Sequence, residues 1–149
     1  MKKAFSLLLA LSLLLPCLFG CASEKKFTPD SKISTECEGV YLTLSSIEEA
    51  ERGSKTLNAK WNNQTDNEVI YGEAYYIERE SGGLWVDTSV GEHSYIAIAC
   101  ILSPHSENDK SYSTAGFDIS REGRYRLRTE FSTADGNYST WIEFEVTNK

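Results

Sequence analysis

The chain is poor in the residues that most often carry chemistry. Its 149 residues include only two histidines, His93 and His105, each in a polar, loop-like context. No nucleophile elbow or other signature accompanies either one, so solvated loop positions account for both. Close-spaced metal ligands are missing as well. Cys37, His93, Cys100 and His105 contain no pair of the C-x-x-C kind, and a hairpin turn explains Asp135-Gly136-Asn137 better than a calcium loop does. No catalytic residue, metal or cofactor is therefore expected. Clustered basic charge is also absent, with 15 Lys and Arg against 22 Asp and Glu and a net charge of -7. That balance excludes nucleic acid as a partner, because phosphate binding runs on clustered Lys and Arg. The composition excludes collagenous, disordered and multi-span membrane classes too, and no internal repeat is visible. The length leaves room for one ordinary domain.

What is abundant comes first in the chain. Lys2 and Lys3 precede an apolar stretch over residues 4–19, interrupted by Pro16 and too short to span a bilayer. This is the pattern of a signal peptide over residues 1–20. Leu18-Phe19-Gly20-Cys21 resembles the lipobox of bacterial lipoproteins. The resemblance implies that the Cys21 thiol receives a diacylglyceryl group and becomes the mature N-terminus. Two or three acyl chains hold a protein stably on its membrane. The expected location is therefore the cell membrane, lipid-anchored on the extracytoplasmic face. Residues 21–38 are polar, contain Pro29 and lack periodicity, so they read as a tether, and the domain proper as 39–149.

From residue 39 the dominant period is two. Val40, Leu42 and Leu44 alternate with Tyr41, Thr43 and Ser45; Leu57, Ala59 and Trp61 alternate with Asn58 and Lys60. Residues 69–80 are rich in Tyr and Ile, but Glu73 falls on the apolar parity, so a bulge at Gly72 is expected to aim it outward. Ser81-Gly82-Gly83 closes a hairpin onto Leu84-Trp85-Val86. The unbroken apolar run 95–102 predicts a strand covered on both sides, or with its second face against a loop. Tyr125, Leu127, Thr129 and Phe131 alternate with Arg124, Arg126, Arg128 and Glu130, and Ile142, Phe144 and Val146 alternate with Trp141, Glu143 and Glu145. The only helix candidate is 46–53. Seven to eight short strands with turns between them predict an all-β, immunoglobulin-like antiparallel sandwich. A two-residue turn at Asp135-Gly136 would set Leu127 opposite Phe144, Arg126 opposite Glu145 and Arg128 opposite Glu143.

Glu122-Gly123-Arg124-Tyr125-Arg126-Leu127 resembles the tyrosine corner of immunoglobulin-like domains. There the hydroxyl of the residue matched by Tyr125 bonds upstream backbone just after the glycine matched by Gly123. Leu127 stands where antibody domains carry cysteine, so their inter-sheet disulfide is absent. More specifically, the run from Trp61 to Gly72, then Tyr75-Tyr76-Ile77-Glu78, Gly83-Leu84-Trp85 and Gly123-Arg124-Tyr125-Arg126, looks like a family of bacterial Ig-like domains over residues 39–148. That family is common on exported proteins and lipoproteins and has no general catalytic role. The chain departs from it at Ser103-Pro104-His105-Ser106, where the family shows Pro-Gly, so His105 is expected in a turn better suited to glycine.

The resemblance implies a non-enzymatic, membrane-anchored module that binds or spaces at the cell surface. The alternative is a proteinase-inhibitor-like role on the same fold, acting through loops. Trp141, Tyr76 and Tyr41 lie on parities opposite the core, where they either contact a protein or glycan partner or pack across strands. Cys37 and Cys100 are either bridged, as an exported compartment favours, or two free thiols, as the strand order favours.

Overall fold

A computed structural model describes residues 24–148, and the expected alternation appears in it as alternation of burial. The strands run β1 (Lys25–Pro29), β2 (Ser34–Thr35), β3 (Val40–Glu49), β4 (Lys55–Asn63) and β5 (Val69–Ser81), then β6 (Leu84–Asp87), β7 (Cys100–Leu102), β8 (Ser106–Ser113), β9 (Gly123–Thr133) and β10 (Gly136–Asn148). The larger sheet has the order β1-β10-β9-β5-β6, with β2 also on β10 and β7 also on β5; the smaller sheet is β3-β4-β8. Every named pairing is antiparallel. The two sheets form the sandwich expected from the sequence.

Inward side chains of both sheets meet around Trp61, which is fully buried. Its indole N–H donates to the Tyr112 hydroxyl at 3.0 Å. Its ring stacks on Tyr71 at 4.4 Å and meets Phe131 edge-on at 5.8 Å. Buried threonines join elements through backbone. The Thr140 hydroxyl accepts from the Leu42 N–H at 3.3 Å and donates to the Ser34 carbonyl at 2.9 Å, tying β10 to β3 and β2. At the start of β9 the Tyr125 hydroxyl donates to the Arg121 carbonyl at 2.8 Å. Gly123, with φ of 138°, makes the bend that brings this carbonyl within reach.

Four features differ from the sequence reading. The supposed tether is in part sheet: β1 pairs with β10 from Lys25 opposite Asn148 to Pro29 opposite Phe144, and Ser34 and Thr35 pair with Trp141 and Thr140. Phe27 drives this, stacking on Phe144 at 6.0 Å with the Lys55 ammonium 5.0 Å over its ring. The helix candidate is strand instead. β3 continues to Glu49 through a bulge between Leu44 and Ser46, and only residues 51–53 make a 3-10 turn. The apolar run 95–102 forms a strand only at Cys100–Leu102, and most of the rest is exposed.

The final hairpin is shifted by two residues. Leu127 faces Ile142 and Tyr125 faces Phe144, while Arg124, Arg126 and Arg128 face Glu145, Glu143 and Trp141. Gly136 is not in the turn: it opens β10 opposite Thr133, with φ of 151°. A type I′ turn needs positive φ at both central residues, and neither Ala134 nor Asp135 has it. The Thr133 hydroxyl accepts from the Asp135 N–H at 3.1 Å and holds the turn at Ala134-Asp135. A shift of two keeps each side chain on its face, so Leu127 is still buried.

The bond from Tyr125 predicts a specific cost. Tyr125→Phe should lower the unfolding free energy by about 1–2 kcal/mol by leaving the Arg121 carbonyl without its donor. Urea unfolding followed by tryptophan fluorescence measures it, and an unchanged midpoint would remove the hydroxyl from the account of the corner.

Candidate functional site

The outward face of the larger sheet carries the densest set of charged and aromatic side chains. Because β9 is extended, Arg124, Arg126 and Arg128 emerge from one face at every second residue. Antiparallel pairing sets Glu145, Glu143 and Trp141 beside them on β10, and Glu78 and Tyr76 beside Arg126 and Arg128 on β5. Trp85 of β6 sits opposite Glu80.

Each guanidinium is both paired and stacked. The Arg126 Nε–H donates to Glu78 at 2.5 Å, and its guanidinium lies 4.7 Å from the Trp85 ring and 5.2 Å from Trp141. Arg128 reaches Glu78 at 3.4 Å and Glu130 at 2.8 Å, and lies 4.5 Å over Tyr76. Arg124 bonds Glu80 at 2.8 Å and also Glu143. Trp141 donates its indole N–H to Glu143 at 3.3 Å. Although this face points to solvent, the stacked rings and guanidiniums bury Glu78 and Glu143. The charges satisfy one another, and none of these three arginines is left over for an anion.

Trp141 and Tyr76 thus pack across strands in one layer. Tyr41 lies apart on β3, where its hydroxyl accepts from Gln64 at 2.8 Å. The bulge expected at Gly72 is present, between Tyr71 and Tyr75, and Glu73 within it pairs with Lys110 of β8 at 2.6 Å. Cys37 and Cys100 are both free thiols, so the bridge is not formed. Cys37 follows β2 and Cys100 sits on β7, and β10, β9 and β5 lie between those strands. Four strand spacings of about 4.8 Å far exceed the roughly 7 Å limit for a disulfide. Burial, then the charge of Asp135, push the Cys37 thiol above its ordinary pKa. Cys21 lies outside the described residues, as do the signal peptide and the lipobox.

The histidines are each committed to a loop contact. His105 has φ of 52°, the left-handed conformation suited to glycine, and its Nε2 lies 2.8 Å from Asp66. His93 stacks on Phe117 at 4.5 Å, with Nε2 2.8 Å from the Gly116 carbonyl. No group of three or more metal-capable side chains occurs among the described residues.

The feature that sequence reasoning missed is apolar. Residues 88–99 cross the edge of β5 that neither β6 nor β7 covers. Thr88 bonds the Ile77 carbonyl, and the Tyr95 hydroxyl donates to the Tyr75 carbonyl at 2.6 Å. Fastened at those points, the segment leaves Ile96 and Ile98 facing solvent beside Ile70 and Ile101. Its signal in the sequence is the uncharged apolar run 95–102, which predicts a strand covered on both sides or with its second face against a loop, and not an exposed strap.

A family model described as a bacterial Ig-like domain matches residues 36–146. No curated protein matches the chain.

Two tests follow from this surface. Glu78→Gln leaves the half-buried Arg126 without its carboxylate and Arg128 with Glu130 alone, and should cost about 2–3 kcal/mol in urea unfolding; a loss under about 0.5 kcal/mol would make it an ordinary exposed pair. The second is alkaline instability. Burial, then the neighbouring Tyr75, push the Tyr95 hydroxyl up to about 12, against about 10 for an unfolded tyrosine. Folding therefore favours the neutral phenol. Its contribution is whole below pH 10 and is lost as pH rises towards 12. Unfolding midpoints across that window should fall, and less steeply for Tyr95→Phe; equal slopes would show that another group governs the loss.

Proposed function

As the chain belongs to the bacterial Ig-like domain family, which is generally non-catalytic, we propose that it is a non-enzymatic module, lipid-anchored through Cys21 on the extracytoplasmic face, that binds or spaces at the cell surface. The observation that carries this reading is where the chain joins the sandwich. β1 starts at Lys25, opposite Asn148, so only Ala22, Ser23 and Glu24 separate Cys21 from the sheet. Three residues span at most about 10 Å. A domain so attached stands on the lipid surface on a short stalk.

The start of β9, at Gly123 opposite Val146, and the tip of the β5-β6 hairpin, at Ser81 opposite Leu84, lie at the same end of the larger sheet. The start of β5, the turn at Ala134-Asp135 and all of β7 lie at the other. At about 3.3 Å per residue, the ten steps from Val146 back to Gly136 make this other end roughly 33 Å distant. An anchor at one end and a free end at the other is a spacer's arrangement, and the self-satisfied arginine layer supports structural service over chemistry. A proteinase inhibitor would need a loop free to enter an active site; the exposed apolar surface instead lies on a strapped segment and strand faces.

Cys21→Ala should release the protein into the soluble exported fraction or leave unprocessed precursor. Fractionation with immunoblotting reads this, and a mutant that stays membrane-bound at the processed size would overturn the anchor. Titration against secreted proteases should give no inhibition at micromolar excess.

A further inference from the structure

We propose that the isoleucine-rich corner at the free end of the larger sheet is a self-association surface, through which two copies of this chain pair. Ile70 of β5 and Ile101 of β7 are directly opposed and both point outward. Ile98 and Ile96 continue the patch along the preceding segment. Their side chains are 45% (Ile70), 63% (Ile101), 50% (Ile98) and 72% (Ile96) exposed, and Ile96 is the most exposed large apolar residue described. Scattered exposed isoleucines need no explanation, but four in one contiguous patch do.

Three observations select a second copy as the occupant. The first is charge. Residues 94–104 hold no charged side chain in a chain that is one-quarter charged and carries net -7. Two acidic molecules repel, so they approach at least cost where neither presents charge. A basic partner would find its complement elsewhere on the surface. β7 pairs only with β5 among the described strands, and the lysines that commonly guard a sheet edge are missing here.

The second is shape. A cleft of about 540 Å³ lies beside the patch, with Ile70, Ala97, Ile98 and Phe131 on its apolar side and Glu130, already paired with Arg128, on the other. A protruding isoleucine and the apolar side of the cleft on the same surface are self-complementary. A two-fold axis lets Ile96 of each copy enter the cleft of the other, which is the closed contact that a symmetric dimer requires. The four isoleucines expose roughly 400 Å², about half of what each partner contributes to an ordinary stable interface. That area suits a reversible dimer.

The third is position. β1 lies at one edge of the larger sheet and β7 at the other, and the patch is at the end away from Lys25. A membrane holding the N-terminus cannot cover it. Two copies standing side by side can meet there, and confinement to one surface raises their effective concentration.

Sedimentation equilibrium on residues 22–149 tests the inference, since every strand described and the whole core lie within them. The wild-type chain should dimerise reversibly in the micromolar range. Ile96→Asp with Ile98→Asp should weaken the dimer at least tenfold while leaving the unfolding midpoint in place, because both side chains face solvent. Leu84→Asp, equally exposed at the opposite end, should dimerise like wild type. A wild-type chain monomeric at about 100 µM, a double variant that still dimerises fully, or loss of the dimer in Leu84→Asp would each overturn the assignment. The readout is independent of the anchor, so failure here leaves the Cys21 proposal standing.

Discussion

The sandwich is organised by the need to keep the Trp61 indole dry and bonded at once. A buried indole N–H without an acceptor is costly, and Tyr112 supplies the acceptor from β8, within the same sheet. Tyr71 and Phe131 close on the ring from the opposite sheet and so fix how the two sheets approach. The bulge in β5 follows from this arrangement. Tyr71 must reach Trp61, and Tyr75 packs on Tyr112 at 5.1 Å. In a regular strand Glu73 would then point into the core between them. Two extra residues against β9 move it out of that line to Lys110, and the Thr129 hydroxyl donates to the Ala74 carbonyl at 2.9 Å, which the bulge would otherwise leave unpaired.

The outer face solves a different problem. An exposed sheet surface studded with arginine could bind anions, yet here each guanidinium lies between a carboxylate and a ring. Pairing alone would contribute little in water. Stacking removes water from Glu78 and Glu143, which strengthens the pairing and makes loss of either partner costly. The result is a stiff layer over β9 and β10. Chemistry that looks rich as composition is consumed in holding strands together, and the surface left free for a partner is the uncharged one.

Alternation made the faces legible. It placed Val40, Leu42, Leu57, Trp61, Tyr125, Leu127, Phe144 and Val146 in the core, where they are buried. It could not set the register of the last hairpin, because a slip of two residues preserves every face and only the backbone at Ala134-Asp135 decides between the alternatives. It could not find β1 either. Phe27 is one apolar residue in a polar stretch, and its partner is the free edge of a strand more than a hundred residues later. Nor could it separate a buried strand from an exposed strap in residues 95–102, since an unbroken apolar run has no period. The arginine layer is half legible: alternation puts arginines opposite glutamates, but the tryptophans that bury them come from β6 and β10.

The N-terminal segment that pairs as a strand and the apolar run that lies as a strap share a cause. Both concern edges of the larger sheet, where pairing is decided by what happens to lie alongside and not by the segment's own pattern. At one edge β10 captures β1, so the chain from Lys25 to Pro29 belongs to the sheet. At the other, the strap crosses β5 without adding a full strand, so its isoleucines cannot turn inward to a core already filled by Tyr71, Tyr75 and Phe131. The captured strand β1 and the isoleucine patch beside β7 thus lie at opposite edges of the sheet, so that pairing of copies at the patch leaves the β1 edge undisturbed.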